Sequence, residues 1–206
     1  SVRDALAALA PGALAAFEKA AALDPKSAAI QDEIGFLHAV AGNRAIALEH
    51  FERALQLDPR HAPAQFHLGV AAWLAGDRDR GVAALQQAAK LDPLNAEYRY
   101  RLGAMYQDLG RDKDALPELK AAAARDPRRH EVWSAVGVGE QRLGNLTAAR
   151  DGYARAVALD PNNIFMDNLY RPRSVAFSDY EPYRATSWKR ADGKPAAYIL
   201  NHNASP

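Results

Sequence analysis

The segment GNRAIALEHFERALQLDP, residues 42–59, closes with the dipeptide Asp58-Pro59, which recurs along the chain with a strict spacing. The recurrences lie 34 residues apart, at Asp24-Pro25, Asp58-Pro59, Asp92-Pro93, Asp126-Pro127 and Asp160-Pro161. A fixed period of this length is typical of proteins built from stacked copies of one supersecondary unit. The period therefore predicts a solenoid.

Small residues recur at fixed places within this period. When Pro is set at position 32 of the unit, four complete units occupy residues 28–61, 62–95, 96–129 and 130–163, preceded by a half-unit over residues 1–27. Position 8 is Gly35, Gly69, Gly103 and Gly137; position 15 is Gly42, Gly76, Gly110 and Gly144; position 20 is Ala47, Gly81, Ala115 and Ala149; and position 27 is Ala54, Ala88, Ala122 and Ala156. Residues without bulk at positions 8, 20 and 27 allow two helices to approach closely, so each unit is predicted to be a helical pair.

Three kinds of residue are predicted to begin or end these helices. Glycine at position 15 can adopt a left-handed conformation and end the first helix. The residue after it, Asn43, Asp77 or Asn145, is expected to cap the second helix; after Gly110 the expected cap is Asp112 or Asp114 instead. Asp-Pro is expected to end the second helix, because proline disfavours helical geometry in the residue before it and lacks an N–H.

Two prolines fall where helices are expected. Pro117 lies at position 22 of its unit, and we expect the second helix there to start late, with Asp114 as its cap and Pro117 in its first turn. The Ala-rich start of the chain, residues 5–16, contains Pro11 and Gly12 and is interpreted as the helices of the half-unit.

The repeat resembles the tetratricopeptide repeat (TPR) family over about residues 8–163, through its period, its glycines and alanines, and its Asp-Pro steps. The resemblance implies an all-α fold, a right-handed superhelix (α-solenoid) with two antiparallel helices per unit. It places the TPR domain at residues 1–163, as four full repeats and an N-terminal half-repeat. A single unit of such a solenoid is not stable alone, because it buries its apolar face against its neighbours.

In TPR proteins the first helix of each unit lines a concave groove, and the resemblance carries that role to positions 2, 5, 6, 9, 12 and 13. The partner-binding residues it implies are Asp32, Glu33, Phe36, Phe66, His67, Val70, Trp73, Tyr100, Arg101, Gln107 and Asp108. Only Arg101 matches the family's carboxylate clamp for chaperone C-termini. The better hypothesis is a protein or peptide partner with apolar or aromatic anchors, whose carboxylate binds Arg101. For each aromatic residue, packing between helices is the alternative.

Composition argues against several functions. The 26 basic and 25 acidic residues give a net charge of +1, without the basic excess expected of a nucleic-acid partner. The absence of cysteine excludes disulfides and cysteine nucleophiles, and the six histidines lack metal-binding spacing. No apolar run is long enough to span a membrane, so direct membrane insertion is not expected. We predict no enzyme activity, no metal and no cofactor.

The repeat pattern stops near Asn163. The extension over residues 164–206 has too many aromatic residues for a disordered linker: Phe165, Tyr170, Phe177, Tyr180, Tyr183, Trp188 and Tyr198. Three interpretations stay open. The extension caps the last repeat, occupies the groove of its own or a neighbouring molecule and so supports self-association, or begins a second domain, which the strand-like stretch 196–200 favours.

The sequence thus predicts a protein-interaction scaffold that binds a partner segment in the concave groove. Two alternatives remain: the TPR arm of a larger bacterial machine, such as an outer-membrane export or receptor protein, or the arm of an enzyme whose catalytic domain is not in this sequence. The chain begins at Ser1, as a processed protein or a piece of a longer one would. The composition resembles that of bacterial TPR proteins and does not distinguish cytoplasm from periplasm.

Overall fold

The computed structural model describes residues 2–160 of the chain, with side chains from residue 11 onward. This part contains nine α-helices and no β-strand: α1 (Val2–Leu23), α2 (Ala28–Val40), α3 (Arg44–Leu57), α4 (Ala62–Leu74), α5 (Arg78–Leu91), α6 (Ala96–Asp108), α7 (Asp112–Arg125), α8 (His130–Arg142) and α9 (Leu146–Leu159). Helices α2 to α9 form four successive pairs, one for each predicted unit. The prediction of an all-α fold of repeated helical pairs is confirmed, and the extension over residues 164–206 lies outside the described residues.

The half-unit is a single helix. Helix α1 continues through Pro11, so the interpretation of more than one helix in this stretch is wrong. A proline inside a helix removes one backbone hydrogen bond, and packing against a neighbouring helix can outweigh that loss. Helix α1 has such a neighbour in α2.

The Asp of each Asp-Pro step ends the second helix of its unit, as predicted. Asp58 has φ −139° and ψ 98°, an extended conformation, while its N–H still donates to the carbonyl of Ala54. The same position at the ends of α5, α7 and α9 is held by Asp92, Asp126 and Asp160. The Asp58 carboxylate accepts a hydrogen bond from the N–H of Arg60 at 2.9 Å, which closes the turn into the next unit.

Glycine at position 15 makes the turn inside each pair, also as predicted. The φ angles there are positive: +86° at Gly42, +93° at Gly76, +71° at Gly110 and +82° at Gly144. Residues with a Cβ rarely adopt this left-handed conformation, so the first helix ends at a fixed place.

Asn43, Asp77 and Asn145 all occupy the predicted cap position of a second helix, and of these three only Asp77 forms a capping bond with its side chain. The Asp77 carboxylate accepts a hydrogen bond from the N–H of Arg80 at 3.2 Å. Asn43 and Asn145 occupy the cap position without a capping bond from their side chains. Their amides point back toward the first helix of the pair, where Asn43 donates to His38 at 3.4 Å and Asn145 to Glu140 at 2.8 Å. An amide donor can bind such partners, whereas the carboxylate of Asp77 can only accept.

The late start expected for the second helix of the third repeat, residues 96–129, is wrong. Helix α7 begins at Asp112, with Arg111 rather than an aspartate at the cap position, and Pro117 lies inside the helix. Asp114 pairs instead with the guanidinium of Arg111 at 2.8 Å. Burial explains the early start, because Ala115 and Leu119 are both fully buried and need the regular register. Pro117 is exposed, where water can bind the carbonyl left without a donor.

The chain divides into two compact units, each larger than one repeat, with the boundary inside α6. We call residues 1–105 the first unit and residues 106–206 the second unit. In the first unit, consecutive helices from α1 to α5 pack on one another, and α2 also contacts α4. In the described part of the second unit, α7 packs on α8 and α8 on α9.

In the first unit, the glycines at positions 8 and 20 lie where helices touch. A Cβ added to Gly35 would lie 2.7 Å from the ring of Phe51, and one added to Gly69 would lie 3.0 Å from the carbonyl oxygen of Gly81. Phe51 is 1% exposed and packs with Ala47, Leu68, Ala71 and Ala84. The missing side chain of Gly35 thus makes room for a buried ring on the partner helix.

The second unit repeats this arrangement with a tyrosine. A Cβ added to Gly137 would lie 2.5 Å from the ring of Tyr153, and one added to Gly152 would lie 3.0 Å from the backbone of Gly137. Tyr153 is 1% exposed, and its hydroxyl donates to Gln141 at 2.6 Å. The large buried residue is always at position 24: Phe51, Leu85, Leu119 and Tyr153.

A buried carboxylate joins the helices of the second unit. Glu140 is 3% exposed and accepts hydrogen bonds from Lys120 at 2.6 Å and from Asn145 at 2.8 Å. Burial by itself would raise the pKa of Glu140, but the hydrogen bonds from Lys120 and Asn145 and the charge of Lys120 outweigh it and hold this pKa below its ordinary value. The carboxylate therefore stays charged in the folded state.

We expect Gly137→Ala to lower the free energy of unfolding by about 1–2 kcal/mol, since the clash with the buried Tyr153 ring exceeds the gain in helix propensity. Gly12→Ala is the control, because a Cβ there has no neighbour within 4 Å, and it should leave stability unchanged or raise it by up to about 1 kcal/mol. Urea denaturation followed by circular dichroism measures both. Equal stability of the two variants would contradict the packing described.

The lowered pKa of Glu140 predicts how stability depends on pH. The folded state binds fewer protons than the unfolded state between the two pKa values of this group, so its contribution is complete above the ordinary carboxylate pKa and is lost as pH falls through the lower, folded value. Glu140→Gln should cost roughly 1–3 kcal/mol at pH 7 and flatten this part of the profile. The control Glu131→Gln, at an exposed carboxylate on the same helix, should keep the profile; identical profiles for both variants would refute the assignment.

Candidate functional site

A cavity of about 350 Å³ opens in the first unit between α2, α3, α4 and α6, and we call it the groove cavity. Its lining includes five residues predicted from the sequence: Phe36, Phe66, His67, Val70 and Arg101. Helical register explains the convergence, because positions 5, 6, 9 and 13 of a first helix lie on one side. Successive first helices therefore present these side chains to the same space.

Aromatic rings form the wall of this cavity. The ring of His67 lies 5.3 Å from that of Phe36, 5.4 Å from that of Phe51 and 5.5 Å from that of Phe66, measured between centroids. Phe36 is 36% exposed and Leu74, at the rim, is 61% exposed. Apolar surface with this exposure beside a concavity is available to a ligand.

Tyr98 supports this wall from behind. Its ring stacks on that of Phe66 at 4.8 Å and is buried. Burial raises the pKa of Tyr98, and the charges of Asp92 and Asp32 add to the rise, so the phenol stays neutral. Phe66 thus has a structural contact on one face, while it lines the cavity with the rest of its surface.

Asp32 lies beneath the groove cavity rather than in it. It is 2% exposed, and its carboxylate accepts a hydrogen bond from Nδ1 of His67 at 2.8 Å and lies 3.5 Å from Nε2 of His61. A carboxylate bound to Nδ1 fixes the tautomer and the orientation of an imidazole. Asp32 therefore positions His67, whose Nε2 is the ring nitrogen left for a ligand.

Two arginines provide positive charge at the cavity. Arg101 pairs with Glu97 through Nε at 2.6 Å, one helical turn away, and half of its side chain is exposed. Arg44, the first residue of α3, also lines the cavity and is exposed, and no other described residue forms an ion pair with it. Arg44 is missing from the residues predicted from the sequence, because the repeat pattern assigns ligand contacts to first helices and Arg44 begins a second helix.

Besides Asp32, three predicted residues of the first unit lie outside the groove cavity. Glu33 is exposed on α2. Trp73 packs against α5: a Cβ added to Gly81 would lie 3.1 Å from the Cβ of Trp73. The guanidinium of Arg78 lies 5.2 Å from the centroid of the Trp73 ring. Tyr100 is half-buried beside the guanidinium of Arg101, at 5.8 Å. The packing alternative thus describes Trp73 well.

Gln107 and Asp108 belong to the second unit. The Gln107 amide donates to the carbonyl of Ala135 at 2.8 Å, and the Gln107 carbonyl accepts from Arg142 at 3.0 Å. Gln107 thus joins α6 to α8, whereas Asp108 is exposed.

A second cavity, of about 540 Å³, lies in the second unit between α7, α8 and α9. It is larger, but its principal side chains already have partners. The indole N–H of Trp133 donates to the carbonyl of Pro127 at 2.9 Å, and the guanidinium of Arg155 lies 4.3 Å from the Trp133 ring. Lys120, also in its lining, pairs with Glu140. The groove cavity, with an exposed ring and an arginine that has no ion pair among the described residues, is the better candidate.

Neither a metal-binding cluster nor a membrane-spanning helix is found in the part of the chain that the structure describes. Among the side chains of residues 11–160 there is no group of three or more histidine, aspartate or glutamate residues arranged to hold a metal ion. Among the helices of this part, none is both long and apolar enough to cross a membrane.

Comparisons with known proteins agree with the helical pairs. The family model of the tetratricopeptide repeat matches residues 34–79, 73–130 and 106–164, together more than half of the chain. A crystal structure of MamA is 22% identical, with a TM-score of 0.66, over 73% of this chain and 88% of MamA. The structure of YrrB, described as a TPR protein with an unusual peptide-binding site, is 22% identical, with a TM-score of 0.64, over 79% of this chain and 84% of YrrB. No curated protein gives a match. The chain belongs to the tetratricopeptide repeat family.

Proposed function

We propose that this protein is a scaffold without catalytic activity that binds an extended segment of a partner protein in the groove cavity. The observation that carries the proposal is an open aromatic cavity beside two arginines, one of which lacks an ion pair among the described residues. Interfaces draw much of their affinity from a few aromatic and arginine residues around a pocket. YrrB, a protein of similar fold, has a peptide-binding site, which adds support.

The groove residues have complementary roles in this binding. An apolar or aromatic side chain of the partner packs on Phe36 and Phe66. This contact removes the exposed ring of Phe36 from water, which favours binding. His67, held by Asp32, offers Nε2 to a backbone or side-chain donor. A carboxylate of the partner binds Arg101 or Arg44, since guanidinium groups bind carboxylates with two parallel hydrogen bonds.

The cavity is also of a suitable size. Its volume of about 350 Å³ lies at the lower end of the range for ligand pockets, as expected when one side chain enters and the rest of the peptide lies along the surface. The wall is preformed, because the buried rings of Phe51 and Tyr98 support it from within the fold. A preformed site loses little side-chain entropy when the ligand binds.

The test uses random peptides displayed on phage and selected against the full chain. We expect the selected peptides to share an aromatic or large apolar residue with a carboxylate nearby. Phe36→Ala and Arg101→Ala should each weaken binding of a selected peptide about tenfold or more, measured by fluorescence anisotropy.

Arg53→Ala is the matched control, because Arg53 is exposed on α3 and is not part of the groove cavity. It should leave the affinity unchanged. Circular dichroism confirms that each variant is folded. Failure to select any peptide, or selected peptides that bind all three variants with unchanged affinity, would refute the proposed function.

A further inference from the structure

We propose that residues 177–183 of one copy of this chain bind in the groove cavity of a second copy. The inference rests on the proposed function and names an occupant for the same site. The segment lies outside the described residues, so its sequence and the geometry of the groove cavity together carry the inference.

The segment has regularly spaced anchors. It reads FSDYEPY, with Phe177, Tyr180 and Tyr183 three residues apart and a proline before the last. A peptide bound in polyproline II geometry has three residues per turn, so it would present all three rings on one side. Such a row of rings matches an aromatic wall formed by successive first helices, with Phe36 from α2 and Phe66 from α4.

Charge distinguishes this segment from the other aromatic stretches after residue 163. Asp179 and Glu181 stand between its rings, and Arg184 follows only after the last of them; Tyr170 is followed directly by Arg171, and Trp188 by Lys189-Arg190. Arg44 at the groove cavity has no acidic partner among the described residues, and Arg101 pairs there with Glu97 while half of its side chain stays exposed. Two carboxylates on the ligand can therefore meet two arginines on the groove, while the basic stretches would meet like charge.

The geometry of such a complex follows from the two different surfaces. Each copy offers one groove and one ligand segment, so association is head-to-tail and either closes into a ring or continues as a chain. The apparent mass of the protein should then rise with its concentration. A groove variant and a segment variant should complement each other.

The experiment uses full chains and sedimentation velocity. The groove variant carries Phe36→Ala and Arg44→Glu; the segment variant carries Tyr180→Ala and Glu181→Lys. We expect each variant alone to be monomeric at concentrations where the wild type associates, because each lacks one of the two surfaces. An equimolar mixture should form heterodimers and nothing larger, since one groove and one segment remain intact.

A charge exchange tests the contact itself. Arg44→Glu alone should weaken self-association at least tenfold, and Glu181→Arg in the same chain should restore most of it. A wild type that stays monomeric up to millimolar concentration would overturn the inference, and so would association that neither variant affects. If the wild type stays monomeric while its groove binds phage-selected peptides, the proposed function stands and only the named occupant is wrong.

Discussion

Each repeat depends on the close approach of its two helices, and this contact requires small residues where the helices cross. Gly35 and Gly137 lie so close to the rings of Phe51 and Tyr153 that an added Cβ would clash with them, at 2.7 Å and 2.5 Å from the nearest ring carbons. Ala47 and Ala149, at position 20 in the second helices of the same repeats, are fully buried. Because protein interiors are closely packed, added bulk at these places would separate the helices. The left-handed glycine turn and the Asp-Pro end then fix where each helix stops.

The candidate site follows from this packing. Because α2, α4 and α6 repeat one register, several side chains at positions 5, 6, 9 and 13 of these helices line one cavity, and they decide what that cavity can bind. They include Phe36, Phe66, His67 and Arg101. The buried Asp32 adds a second layer, because it holds His67 in one orientation and so limits how the groove can present a hydrogen-bonding nitrogen.

Much of the fold could be predicted from the sequence, because glycine and Asp-Pro act through local backbone geometry. The errors arose where a tertiary contact decides. Pro117 by itself favours a late start of its helix, but the buried Ala115 and Leu119 set the start at Asp112. The groove was predicted less completely for the same reason. The burial of Asp32 and the position of Arg44 at the groove cavity depend on contacts with neighbouring repeats, and the pattern of a single repeat does not include them.

NMR chemical-shift mapping of the full chain, during titration with a phage-selected peptide, shows whether the groove cavity is the binding site. The two cavities are lined by different residues and lie in different units, so the shifts distinguish them. If the peptide binds there, we expect the largest changes at Phe36, His67 and Arg101, with the Nε2 resonance of His67 among them. Changes concentrated at Trp133 and Arg155, with those at His67 absent, would contradict binding at the groove cavity.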